Sequence, residues 1–266
     1  MAPTPHHRLA VPLAAAIIVV AAVAITVACR LALSAGSPLH TLRYQERDRP
    51  GDHLLVLLPG RGSMAADFAE QGLVQAVRDA GLAVDMVAVD ARLGHYFGGQ
   101  VTTMLGRDVM RPARAKGYRN VWLAGISLGG LGALLYTEEH PQEVAGVIVL
   151  APYLGDPPLI DEIRGSGGVR QWEPGLVDQA DYQRRLWAWL KEVVATPEQF
   201  PPIFLGFGRQ DRFADAHELL AEILPRDRVF ATDGGHEWAT WRPLWGAILA
   251  HADLPRRHHG RWEGRP

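Results

Sequence analysis

A single cysteine, Cys29, in 266 residues rules out an internal disulfide. There is no cluster of cysteines and no His-Glu-x-x-His run, so the chain carries no recognisable metal-binding pattern and no metal is expected. Charge of one sign is also missing. The 27 Lys and Arg stand against 29 Asp and Glu, and nothing in that balance recruits nucleic acid or an acidic partner. No Tyr-x-x-x-Lys pair is present, which leaves hydride chemistry of the short-chain type without its acid–base couple. The chain is long enough for one large domain or two small ones, and an α/β domain of about 230 residues buries a generous core.

The first feature present is apolar. Residues 9–29 carry no charge, are rich in Ala, Val and Ile, and are flanked by Arg8 and Arg30. At about 1.5 Å per residue such a run matches a bilayer's hydrocarbon thickness of roughly 30 Å, so it reads as a transmembrane anchor within an N-terminal segment 1–33. A cleaved signal peptide ending near Ala32-Leu-Ser34 and a lipidated Cys29 are the alternatives. The expected location is the membrane, with the rest of the chain on the outer side. Arg30, Arg43, Arg47 and Arg49 on the far flank run against that orientation. The basic end after Pro255, with Arg256, Arg257, Arg261 and Arg265, reads as a solvated, disordered tail over 256–266.

Between these ends, over 34–255, a regular alternation sets in. Apolar runs at 54–58, 83–89, 121–124, 145–150, 203–207 and 228–231 predict six strands, with a further extended segment around 41–45. Helical spacing predicts helices at 65–79, 101–116, 127–140, 214–224 and 237–251. Strand–helix alternation of this kind implies a doubly wound, mostly parallel α/β sheet with helices on both faces. The alternation lapses over about 152–200, where proline and glycine clusters precede a helix at 181–194. An insertion there overhangs the edge at which open sheets bind ligands, and it reads as a small lid. Trp172, Trp187 and Trp189 either line its underside or pack it onto the body.

The richest signal is Gly125-Ile-Ser127-Leu-Gly129, between the apolar run Val121-Trp-Leu-Ala and the helical Gly130-Leu-Gly-Ala-Leu-Leu-Tyr136. A strand reversing into a helix forces its turn residue into strain, and small neighbours make room for it. The hydroxyl of Ser127 then stands at the sheet's C-terminal edge, although serine is also a favoured helix cap. A serine nucleophile needs a base, and the base needs a carboxylate behind it. Asp211, in the loop after the strand ending Leu205-Gly-Phe-Gly208, and His236, in Asp233-Gly-Gly-His-Glu-Trp238 after the last strand, stand where the alternation brings both to the same edge. Asp215 and Asp233 are the substitutes for Asp211. Donors for a developing oxyanion are expected from the amide of Leu128 and the amide of Arg61, in the turn Pro59-Gly60-Arg61-Gly62.

From about Leu54 to Ala250 these residues resemble the α/β-hydrolase family, serine esterases and lipases among them. Gly125-Ile-Ser-Leu-Gly-Gly130 is similar to the family's nucleophile elbow, and Leu-Pro-Gly-Arg-Gly62 stands where many members carry a His-Gly turn, with Pro59 in place of the histidine. The resemblance implies a serine hydrolase that cleaves a carboxylic ester or related acyl bond of a small-molecule substrate without a cofactor, through an acyl-enzyme. Short-chain esters are the default, with thioester, lipid or peptide substrates as alternatives. Two other readings stay open. Gly60-Arg-Gly62-Ser-Met-Ala65 also fits G-x-G-x-x-G/A, with Asp90 where a ribose-binding acid would stand, which would make a dinucleotide-binding oxidoreductase. The third is a non-catalytic, hydrolase-like binding protein tethered to a membrane.

Overall fold

A computed structural model describes residues 38–45, 51–96 and 99–257. Among these residues seven strands form one sheet: β1 (Thr41–Tyr44), β2 (His53–Leu58), β3 (Asp85–Val89), β4 (Asn120–Ile126), β5 (Gly146–Leu150), β6 (Ile203–Gly208) and β7 (Val229–Thr232). Their order is β1-β3-β2-β4-β5-β6-β7. Only β1 runs antiparallel, along β3 at one edge. Every other pairing is parallel.

The six longer helices are α1 (Leu73–Asp79), α2 (Leu128–Glu139), α3 (Pro157–Gly165), α4 (Tyr182–Ala195), α5 (Ala214–Ala221) and α6 (Trp238–His251). Side chains alternate sides along a strand, and here both sides are apolar. Leu54, Val56 and Leu58 of β2 face the same core as Leu131 and Leu134 of α2 and Leu186 and Leu190 of α4. Leu55 and Leu57 face the opposite core, with Val74 and Val77 of α1 and Trp245 and Ile248 of α6. The middle of the sheet is therefore built by strands such as β2 with no polar face to show to water, whereas edge strand β1 exposes Arg43.

Several elements depart from the sequence expectation for local reasons. The helix expected over 65–79 is broken, because Gly72 takes φ +81° between Asp67–Glu70 and α1. The helix expected over 101–116 loosens into a π turn at Gly106–Met110. Inside the insertion, α3 begins on Pro157 and Pro158, which the first turn tolerates because its N–H groups have no intrahelical partner. Trp172 and Trp187 are buried in the core and donate their indole N–H to Glu162 (2.8 Å) and the Leu154 carbonyl (2.7 Å). With Trp189 in the same core, these tryptophans pack the insertion onto the body.

The transmembrane part of the expected fold is corrected. Residues 9–29 lie outside the described residues, and among those described no helix is long and apolar enough to cross a membrane. The longest, α4 and α6, have 14 residues each, about 21 Å against roughly 30 Å of hydrocarbon. The fold is a seven-stranded, mostly parallel sheet with no such helix among the described residues, and the membrane partner that rested on that helix has no support. The start of the basic tail also differs from a free end. Arg256 bridges to Leu82 and donates to the Ala80 carbonyl (3.1 Å), while the Arg257 amide donates to Gly81 (2.8 Å).

Candidate active site

Three strand ends meet at one rim. Ser127 follows β4 directly and takes φ 53° and ψ −115°, a backbone region that L-residues avoid. Its neighbours permit this. A Cβ on Gly125 would run into the Gly129 carbonyl, and one on Gly129 into the Leu58 carbonyl, so strand and helix approach closer than any larger residue allows. The turn is pinned from both sides of the peptide: the Ser127 amide donates to the Leu150 carbonyl (2.9 Å), and its carbonyl accepts from the Tyr153 amide (3.0 Å). The capping interpretation does not hold, since the Ser127 side chain makes no capping hydrogen bond to α2.

That hydroxyl goes elsewhere. Ser127 Oγ lies 2.9 Å from His236 Nε2, and His236 Nδ1 lies 2.8 Å from Asp211 Oδ2. The second carboxylate oxygen of Asp211 accepts the Phe213 amide at 2.9 Å. Burial opposes the charge on Asp211, but the hydrogen bonds from His236 and Phe213 outweigh it and hold the carboxyl below the usual range. The two substitutes lie elsewhere: Asp215 pairs with Arg164 (3.0 Å), and Asp233 is exposed. In such an array an imidazole can take a hydroxyl proton while a carboxylate fixes its tautomer.

The amides of Leu128 and Arg61 donate no hydrogen bond to any described residue. Leu128 is the first residue of α2, whose leading N–H groups have no partner within the helix. The turn carrying Arg61 abuts the serine, because a Cβ added to Gly60 would stand 3.4 Å from Ser127 Cβ. The same turn answers the dinucleotide alternative. Asp90, its candidate ribose acid, is buried and already accepts the Ala65 amide (2.6 Å) and His40 Nδ1 (3.1 Å).

Sequence inspection missed the groups that hold the histidine. Phe213 and Trp241 each meet the His236 ring edge to face, at 5.3 Å and 5.0 Å between centroids. Phe213 lies two residues beyond Asp211 and Trp241 five beyond His236, and nothing in that spacing marks them out. His217, fully buried in α5, also went unnoticed; its Nε2 donates to the Pro152 carbonyl at 2.9 Å, and burial pushes its pKa down to about 4. Beside the serine opens a cleft of about 1080 Å3. The expected loop after β3 lends it Leu93, Tyr96 and Gly99, and the insertion lends Tyr153, Gln179 and Tyr182.

The sequence model of the Esterase family, described as "Putative esterase", matches residues 108–252, more than half of the chain and the part that holds Ser127, Asp211 and His236. The chain belongs to the Esterase family. It is an ester-cleaving hydrolase with an α/β-hydrolase fold, acting on a small-molecule ester. Solved structures agree on the fold. A fluorophosphonate-binding serine hydrolase F from Staphylococcus aureus is 14% identical over 80% of this chain and 98% of that one, with a TM-score of 0.56. An esterase from Pyrobaculum calidifontis is 18% identical over 81% of each chain, with a TM-score of 0.56. A hydrolase from Pseudomonas aeruginosa PA01 is 21% identical, covering 80% of this chain and 93% of its own, with a TM-score of 0.52. No curated protein matches the chain by sequence.

Proposed function

We propose that this esterase is a serine hydrolase working through Ser127, His236 and Asp211 and an acyl-enzyme intermediate. The observation that carries the reading is the unbroken hydrogen-bonded path from Ser127 Oγ through His236 to Asp211, with links of 2.9 Å and 2.8 Å. A serine hydroxyl is a poor nucleophile until a neighbouring base takes its proton. His236 Nε2 receives that proton as Oγ attacks the ester carbonyl, and Asp211 offsets the charge the ring acquires. The carbonyl oxygen turns negative and settles against the amides of Leu128 and Arg61, which hold no other partner among the described residues. His236 then returns the proton to the leaving alcohol. Water, activated by the same ring, attacks the acyl group and restores the Ser127 hydroxyl.

The strained turn at Ser127 supports this assignment as well, since backbone strain of this kind costs about 1 to 3 kcal/mol and concentrates at working sites. Replacing Ser127 with alanine tests it. Turnover of p-nitrophenyl acetate and labelling by a fluorophosphonate probe are both expected to vanish, with the thermal midpoint little changed. Retention of most of the turnover would refute the role of Ser127.

A further inference from the structure

From the serine the cleft runs along a single face of α2. Leu128, Leu131, Leu135 and Glu139 all line it, and they follow one another at intervals of three and four residues, the spacing that stacks side chains in a row. Leu93, Tyr96 and Val101 add further apolar surface to the cleft, alongside polar groups such as Thr102 and Arg212. The row ends on charge. Glu139 is held by Arg185 of α4 at 3.1 Å, and Arg185 also binds Glu138 at 2.8 Å, so an ion pair joining helix and insertion stands at the end of the row. At about 1.5 Å of rise per residue, Leu135 lies about 10 Å along the helix from Leu128, and Glu139 about 16 Å. An acetyl or formyl group would leave nearly all of the 1080 Å3 to water.

We propose that this esterase selects esters bearing an unbranched alkyl chain of medium length, which lies along the Leu128–Leu131–Leu135 row with its tip short of the Glu139–Arg185 pair. The inference rests on Ser127 as the reacting residue and adds the substrate class. With bonds of about 1.5 Å at tetrahedral angles, a chain of about eight carbons reaches Leu135 and one of about twelve meets the ion pair. Each methylene moved from water into such a row favours the bound state about three- to fourfold. A longer chain meets the charges of Glu139 and Arg185, which offer no apolar surface to reward further length.

The experiment is a chain-length series on the full protein in two arms: p-nitrophenyl esters from acetate to myristate, and alkyl acetates from ethyl to dodecyl. In one arm kcat/KM is expected to climb about threefold per carbon to a maximum near eight to ten carbons and then fall. That arm identifies the chain as acyl or alcohol. A profile flat or falling from two carbons in both arms overturns the channel and leaves the serine chemistry standing. Turnover of no ester removes both readings, and loss of fluorophosphonate labelling then marks the triad as the point of failure. Leu135→Trp, which fills the row halfway, is read as the octanoate-to-acetate ratio of kcat/KM within one preparation, so a general loss from misfolding cancels. The ratio is expected to fall at least tenfold, and an unchanged ratio would sink the proposal.

Discussion

The His236 ring stands perpendicular to that of Trp241, with the planes at 88° and the centroids 5.0 Å apart. Phe213 makes a second perpendicular contact at 87°. A ring fixed by two aromatic neighbours keeps both nitrogens aimed without help from a change of rotamer, and a reacting geometry loosened by about 1 Å loses up to a hundredfold in rate. Trp241→Leu is therefore expected to lower kcat on p-nitrophenyl esters by about tenfold or more with KM nearly constant. Trp241→Phe, which keeps an aromatic face, should recover most of it. Equal losses in the two variants would show that Trp241 matters only as core volume.

The carboxylates separate in the same way. Both oxygens of Asp211 are engaged, by His236 and by the Phe213 amide, whereas Asp215 serves a surface pair with Arg164. Asp211→Asn keeps the shape but presents an N–H to a ring nitrogen that must itself donate, so kcat should drop by at least about a hundredfold. Asp215→Asn should leave kcat within about twofold, as exposed ion pairs contribute little. Steady-state kinetics on one chromogenic ester decides both.

The close approach of α2 to β4 at Gly125 and to β2 at Gly129 makes a stability prediction. Gly125→Ala and Gly129→Ala each push a methyl into a backbone carbonyl that cannot turn aside, and either should cost about 3 kcal/mol or more, read as a lower urea midpoint or loss of soluble protein. Gly246, inside α6 with open space at its Cβ position, is the control. Gly246→Ala should hold or raise stability by up to about 1 kcal/mol.

How legible all this was follows from which interactions are local. The strands beneath the site are continuous apolar runs because both faces of a parallel sheet are covered, and a run such as Leu54–Val56–Leu58 with Leu55–Leu57 announces that directly. The elbow was legible for the same reason: close packing of strand on helix demands small residues at fixed offsets from Ser127. The helix α3 was not, since two prolines read as a break and only their position in the first turn makes them helix starters. Nor were Phe213, Trp241 and His217: Phe213 reaches a ring 23 residues away, His217 a carbonyl 65 residues away, and Trp241, though only five residues from His236, meets it through a loop geometry that no spacing announces. The α2 stretch read as a helix, but that one of its faces lines a cleft ending at the insertion's Arg185 shows only in the fold.

The buried His217 gives the fold a dependence on acidity that can be worked out in sign. Its pKa in the folded chain is about 4, because burial disfavours the charged ring, against an ordinary value of 6.5 in the unfolded chain. Between those values the unfolded state binds a proton that the folded state refuses, so stability from this residue is complete above pH 6.5 and drains away as pH falls toward 4. The full span corresponds to about 3 kcal/mol. His217→Gln keeps an N–H that can reach the Pro152 carbonyl while removing the titration. Thermal midpoints measured from pH 7.5 to 4 should fall more steeply in the wild type than in His217→Gln. Parallel curves would mean that the ring is charged, or freely hydrated, in the folded protein.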